Sequence, residues 1–529
     1  MTNYLSSLTA ALNNTDPHSA CDSDPIHLIS DIQPHGVLLL VEEPSLRILR
    51  ISANAYDILQ KPVDSLLGKT LDHALGAHVV DELCAHLFEI RVEKTMVHFL
   101  TYEQPYPPGQ GYHLFGHRRG RYLLLEIEPV VDTNYKWQNL SLSQLNTRIQ
   151  HILETGSLPS MLKALTNWIR RSTGFERVMV YRCEDDFSGK VIAETRQNQL
   201  ESFQDLHFPS TDIPLPARRM FALSPLRHLP NVDYVAVPVQ SIDGIEDDER
   251  MLDLGYSMLR SVSPLYIEYL KNMGVKATAV LPIMSNKMLW GLISCMNHST
   301  PLYLSPEQRA PLIFVVQMVS TLISELQRAD DNVYLSGLEH ITERMDEGLE
   351  KNRDLHQTLV GYWPGLLKEL DVTGVVFMAE GLTSKVGQVP GQNHLNELAT
   401  WLNMRVQEVY STSHLVAEFP PAREYCQIAS GLLSIRLTRT SNDRIILFRP
   451  EVPREIEWAG NPEKPYVLPT TGNQEKPHPR TSFARWKTTM RYRSRPWRDC
   501  ELEFAARLRM VLLEFMVERS QKLRYRQSN

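Results

Sequence analysis

Six cysteines occur in 529 residues and none stands in a CxxC pair, so neither a zinc framework nor a disulfide framework is expected. Cys21, Cys84, Cys183, Cys295, Cys426 and Cys500 are scattered, as in a protein kept in a reducing cytoplasm. Residues 1–20 lack a basic stretch leading into an apolar one, which argues against a secretory signal. Long apolar runs are missing too. The longest, Val37 to Val41, is far too short to span a bilayer, and a soluble cytoplasmic protein without a membrane partner is expected. Nor is there a basic excess: 55 Lys and Arg face 62 Asp and Glu, for a net charge of -7. Nucleic-acid binders need a positive face for phosphates, so no such partner is expected.

The length exceeds what one core organises and suggests three or four domains. Residues 37–41 and 46–52 read as two strands around a Glu-Glu-Pro turn. Helices near 54–60 and 80–91 and strands near 95–102 and 121–128 complete a small α/β unit. A helical pattern over 139–172, strands at 178–181, 234–239, 278–284 and 289–295, and a helix at 263–273 closed by Gly274 make a second.

From 307 to 355 apolar residues recur at helical spacing, from Leu312, Val315, Val316 and Val319 to Leu338, Ile341, Met345 and Leu349. No proline follows Pro311, which predicts one long helix, able to pair with its own copy in a dimer. The local alternative is two helices with a loop near 329–332. Strands at 374–378, 431–436 and 444–448 open a third unit, and a helix near 500–524 ends it. Residues 450–482, rich in Pro, Gly, Asn and Lys, form a loop too long for a plain connection. The expected fold is α+β and multidomain: three sensor-like α/β domains with antiparallel sheets and flanking helices, joined by long helices, with an extension from the third.

Several short motifs carry chemistry. Cys21 opens Cys21-Asp22-Ser23-Asp24-Pro25-Ile26-His27, soon followed by Asp31-Ile32-Gln33-Pro34-His35-Gly36. Asp205-Leu206-His207-Phe208-Pro209-Ser210-Thr211-Asp212-Ile213-Pro214 brackets Asp212 between two prolines, which force an extended segment and present the aspartate. Read locally, Asp212 caps a helix beginning near Pro214. Further on come Leu259-Arg260-Ser261-Val262-Ser263-Pro264, Tyr269-Leu270-Lys271-Asn272-Met273-Gly274-Val275 and Leu289-Trp290-Gly291-Leu292-Ile293-Ser294-Cys295. The long polar loop holds Trp458-Ala459-Gly460-Asn461-Pro462 and Pro479-Arg480-Thr481-Ser482-Phe483.

In order and spacing these motifs resemble the bacterial phytochromes, red-light receptors that carry a linear tetrapyrrole. The resemblance covers nearly the whole chain. It implies an N-terminal extension at 1–20, a PAS domain at 21–130, a bilin-binding GAF domain at 140–325 and a PHY domain at 326–524, with a tongue at about 450–485. It further implies a red/far-red photoreceptor that binds biliverdin IXα covalently, through a thioether to Cys21. The attachment position used by plant and cyanobacterial relatives is Leu265 here, which has no nucleophile. Arg227 and Arg260 stand where the family holds the bilin propionates, a task suited to bidentate, permanently charged guanidinium groups. Tyr181, Phe208 and Tyr269 match aromatics around the D-ring, and Ile213 and Pro214 belong to the Asp212 motif. Light is implied to isomerise the bilin and refold the tongue, Asp212 exchanging Arg480 for Ser482. A homodimer through the long helices and a downstream output domain or response regulator are the implied partners. No catalytic residue or metal ligand is implied, since no phosphoacceptor helix or nucleotide-binding glycine motif follows residue 524.

Two family histidines are missing. Tyr266 stands where the family has one near the pyrrole water, and Met296 replaces the one bonded to the D-ring carbonyl, with His298 two residues on. Val280 replaces a hydroxyl residue near a propionate, although Thr278 remains. Methionine cannot donate to a carbonyl, and a phenol does not titrate near neutrality as imidazole does. Atypical photochemistry is therefore expected. The competing expectation is a light-insensitive bilin-binding or redox sensor on the same scaffold.

Overall fold

The structure, a computed structural model, describes residues 31–89, 96–103, 109–131, 142–242, 254–351, 354–438, 442–463, 466–467 and 478–528. Cys21 lies outside them. The fold is multidomain α+β with antiparallel sheets. Two compact units form: one gathers the residues up to Ser324 together with Glu457–Trp486, the other Glu325–Ile456 with Lys487 onward.

In the first unit, β1 (Val37–Glu42), β2 (Arg47–Ser52), β3 (Val97–Glu103), β4 (Gly111–Arg119) and β5 (Tyr122–Pro129) form a sheet in the order β2-β1-β5-β4-β3. The unbroken Val-Leu-Leu-Leu-Val run of β1 has a physical reason: both faces are covered. Val37, Leu39 and Val41 enter the core of this sheet, while Leu38 and Leu40 pack with Ile32, Leu254 and Leu259. Sequence reading missed β4. Its Gly, His and Arg content reads poorly as strand, but pairing with β3 and β5 on both edges overrides propensity.

The second sheet includes β6 (Arg177–Cys183), β7 (Gly189–Arg196), β8 (His207–Phe208), β9 (Arg227–Leu229), β11 (Ala277–Ser285) and β12 (Met288–Asn297), which run in the order β8-β7-β6-β12-β11-β9. The strand expected at 234–239 does not form as such. Val237 makes a single bridge to Ile32, and the strand proper, β10 (Val239–Ser241), joins the edge of β2 in the first sheet. Ile32 exchanges hydrogen bonds with Val237 at 2.9 and 2.8 Å, Gln33 N–H donates to Leu259 at 2.7 Å, and Ser261 N–H donates to Asp31 at 2.9 Å. The segment 31–33 is thus laced between the two strands of chain that lead into and out of residues 238–258.

The helical pattern at 139–172 resolves into two helices, Leu142–Leu153 and α1 (Leu158–Thr173). Ser157 starts α1, its hydroxyl accepting from Ser160 N–H, and left-handed Gly174 ends it. Two further helices flank the second sheet, α2 (Leu215–Leu223) and α3 (Pro264–Asn272).

Residues Pro306–Lys351 are one uninterrupted helix, α4, with no loop near 329–332. Its early turns bury Leu312, Val315, Val316, Val319 and Ile323 in the core of the first unit, leaving Phe314 and Met318 exposed on the outer side. By length and composition α4 is apolar enough to cross a membrane, with a stretch of mean hydropathy 1.4. In the second unit Leu338, Met345 and Leu349 pack with α5 (Leu355–Glu369) and α6 (Asp499–Ser528). There β13 (Gly374–Ala379), β14 (Leu382–Gly387), β15 (Val409–Thr412), β16 (Gly431–Arg436) and β17 (Arg444–Arg449) run in the order β14-β13-β17-β16-β15.

Candidate functional site

Ser210–Asp212 is a single 3-10 turn, and α2 begins at Leu215 with Pro214 before it and no side-chain cap. Asp212 therefore does not cap α2. Arg218, one turn into α2, donates from Nε to the Ile213 carbonyl at 2.8 Å and from Nη2 to Phe187. That buried arginine, which sequence reading missed, fixes the chain direction just after Asp212 and frees the carboxylate to face an internal cavity.

Three donors converge on this carboxylate. Arg480 Nε reaches Oδ1 at 2.9 Å and its Nη2 reaches Oδ2, while the Tyr269 hydroxyl donates to Oδ2 at 2.9 Å. Both charged side chains are only 4% exposed, which makes the fork a buried ion pair rather than a surface one. Burial pulls the Arg480 guanidinium down, but the Asp212 carboxylate more than reverses this and holds it above the ordinary arginine value. Burial likewise drives the Tyr269 phenol up, and the neighbouring Asp212 charge adds to it, so the phenol stays protonated as a donor.

The segment bearing Arg480 is held in several places. Trp458 pairs beside His207 at the edge of β8, Asn272 of α3 donates to the Pro479 and Arg480 carbonyls at 3.4 and 3.3 Å, and His478 meets Glu268 at 3.0 Å. Arg480 also stacks over Phe483, 4.4 Å from the ring centre. Its Nη1 donates to the carbonyls of Ala459 and Ser482. Gly460, at φ 98°, is required here, because a Cβ would overlap the Arg480 guanidinium. The side chain of Ser482 is exposed and takes no part in this fork. These contacts group Glu457–Trp486 with the first compact unit.

The cavity is lined by Tyr181, Phe208, Asp212, Ile213, Pro214 and Arg480, together with Arg227, Arg260, Tyr266, Tyr269 and Met296. Thr278 is not in the lining, and its hydroxyl donates to the Cys295 carbonyl at 2.8 Å. His298 is not there either: Nδ1 meets the Gly274 carbonyl at 3.1 Å, and its backbone N–H is held by Glu176. Ser294 and Thr211, which sequence reading passed over, do line it. Alternation along β12 places Ser294 on the same face as Met296, a signal present in the sequence.

Arg227 has no carboxylate partner among the described residues. It donates to the carbonyls of Ser257 at 3.1 Å, Arg260, and Ser261 at 3.2 Å, and its Nε has no hydrogen-bond partner. Burial pulls it down to about 10. A buried, under-compensated guanidinium at a cavity wall suits an acidic ligand group. Burial also raises the Tyr266 phenol to about 12, though the nearby Arg227 pulls against it.

The PAS fold family matches residues 21–130, the GAF domain family 157–325 and the phytochrome region 338–521. Cyanobacterial phytochrome B of Nostoc sp. is 32% identical over 96% of the chain and 67% of its own length. This chain belongs to the phytochrome family. A bacteriophytochrome of Xanthomonas campestris is 28% identical over 94% of the chain and 78% of its own. Among solved phytochromes, the photosensory core module from Stigmatella aurantiaca superposes with a TM-score of 0.80 at 31% identity, covering 94% of this chain and 98% of that one. A bacteriophytochrome from R. palustris gives 0.78 at 32%, covering 95% and 99%. This phytochrome chain spans about two thirds of the length of the Nostoc protein.

Proposed function

We propose that this phytochrome module binds biliverdin covalently through Cys21 and acts as a red/far-red photoreceptor. The supporting observation is the buried, under-compensated Arg227 at the wall of a cavity that also presents Arg260, Asp212 and Tyr269. The residues fit such a group: two guanidinium groups for two propionates, and an apolar surround for the ring system. Leu265 lines the same cavity without a nucleophile, which supports Cys21, at the other attachment position of the family, as the thiol. When bound, the bilin would supply light absorption and double-bond isomerisation.

The chain's own part is the switch. In this reading Asp212 releases Arg480, Ser482 takes its place, and the segment 457–486 refolds, a bistable element biased by one contact. The exposed Phe314 and Met318 on α4 support a homodimer through the long helices. The signal would then pass to an output module. Met296 and Tyr266, in the cavity wall, are the basis for atypical photochemistry, because the first offers no donor and the second no titration near neutrality.

Purified chain incubated with biliverdin, denatured and run on a gel tests the attachment. A coloured band that survives denaturation in the wild type and disappears in Cys21→Ser is the expected result. A band persisting in Cys21→Ser, or no band in either, overturns it.

A further inference from the structure

Strand β5 of the PAS sheet touches the loop that leads into cavity-lining Arg260. Glu126 and Glu128 project from the same face of β5, and both are completely buried. Glu128 is committed to Arg309, which donates from Nη1 at 2.8 Å and from Nη2, and to the Tyr303 hydroxyl at 2.8 Å. Glu126 has a different set of partners, all in one loop. Its Oε1 accepts from the Ser257 hydroxyl and from Leu259 N–H at 3.4 Å, and its Oε2 accepts from Met258 N–H at 3.1 Å.

Ser257 is where the contact becomes directional. Its Oγ gives its hydrogen to Glu126 and accepts the backbone N–H of Arg260 at 3.0 Å. The Ser257 and Arg260 carbonyls in turn accept from Arg227. A chain of hydrogen bonds therefore runs from Glu126 through Ser257 to the backbone of one cavity arginine and the side chain of the other. Glutamine cannot reproduce it. A glutamine at 126 offers one acceptor oxygen and turns an N–H2 toward either the Met258 N–H or the Ser257 and Leu259 donors.

We propose that Glu126 and Ser257 form a positioning pair that sets the Arg227–Arg260 wall of the cavity from the PAS sheet. The ligand-dependent half of this inference rests on the bilin reading above; the protein-only half does not. Two measurements on the full chain separate them. Hydrogen exchange of the peptide covering Met258–Val262, without ligand, should rise about tenfold in Ser257→Ala and in Glu126→Gln, as expected for loss of one buried hydrogen bond. The double variant should be no faster than the quicker single one, and Ser257→Thr, which keeps the hydroxyl, should restore wild-type exchange. Biliverdin-loaded Ser257→Ala should show a shifted absorption band, and Ser257→Thr should restore the wild-type band. Wild-type exchange in both single variants overturns the proposal, as does a loaded spectrum identical to the wild type. If neither the wild type nor any variant takes up biliverdin while the exchange changes as stated, the positioning pair stands and the bilin reading falls.

Discussion

Tyr269 donates its hydroxyl hydrogen to Asp212 Oδ2 at 2.9 Å, and Arg480 meets Oδ1 of the same carboxylate at 2.9 Å. One buried carboxylate is therefore shared between a helix of the cavity wall and the segment that carries Arg480. The consequences are asymmetric: removing one charge leaves the other buried and unpaired.

Asp212→Asn should accordingly loosen the Arg480 segment by about 3–5 kcal/mol, the usual cost of breaking rather than replacing a buried pair. Faster hydrogen exchange over 457–463 and 478–486 is the expected readout. Replacing both Asp212 and Arg480 by alanine should cost less than the sum of the single changes.

Gly189 lies against Tyr181, and a Cβ there would overlap the phenol ring. Gly189→Ala should push Tyr181 out of place and cost about 1–3 kcal/mol in urea unfolding. It should also alter the absorption of biliverdin-loaded protein, whereas Gly361→Ala, with open space at its Cβ, should leave the absorption unchanged.

Acid and base sensitivity of the first unit should carry two opposite signs. Burial, with Arg309 and Arg227 adding to it against Glu128, holds His35 down to about 4. The unfolded chain then takes a proton that the folded one refuses, so stability falls as pH drops below the ordinary histidine value. His228, lowered in the same way, adds to that loss. Glu126 is pushed up to about 7, chiefly by burial, with Glu128 adding and the Ser257, Met258 and Leu259 donors opposing. The folded state then binds the proton first, so this group's contribution grows as pH falls from about 7 toward its ordinary carboxylate value. Each effect amounts to roughly 2 kcal/mol between about pH 7.5 and 5. His35→Gln should lose less stability than the wild type over that interval, and Glu126→Gln should lose more. Urea midpoints at the two pH values check the signs.

Met296 lines the cavity with no hydrogen to donate. Met296→His should supply a donor worth about 1–3 kcal/mol to a buried ligand carbonyl. Biliverdin-loaded Met296→His should show a dark-reversion rate changed by about tenfold or more, followed by absorption after illumination.

Much of this was legible in the residues. The long helix was visible because its apolar spacing continues through 329–332 without a breaker, and the structure keeps α4 intact there. The meeting of Asp212 with Arg480 came from motif resemblance, since 268 residues separate the two and no local pattern links them. What escaped the sequence depends on pairing between distant segments. Strand β4 looks too polar until it is flanked on both edges, and residues 234–239 look like a strand until Ile32 and β2 claim Val237 and Val239 separately. Arg218 and Glu126 read as ordinary charged residues, because only the fold shows that one is buried against Ile213 and the other against Ser257.

The most direct test is the difference spectrum of biliverdin-loaded chain after alternate red and far-red illumination, with hydrogen exchange of 457–486 measured in each state. The account predicts reversible photoconversion accompanied by altered exchange in that segment, both lost or strongly reduced in Asp212→Ala. A stable covalent adduct that shows neither a spectral change nor an exchange change on illumination would contradict it.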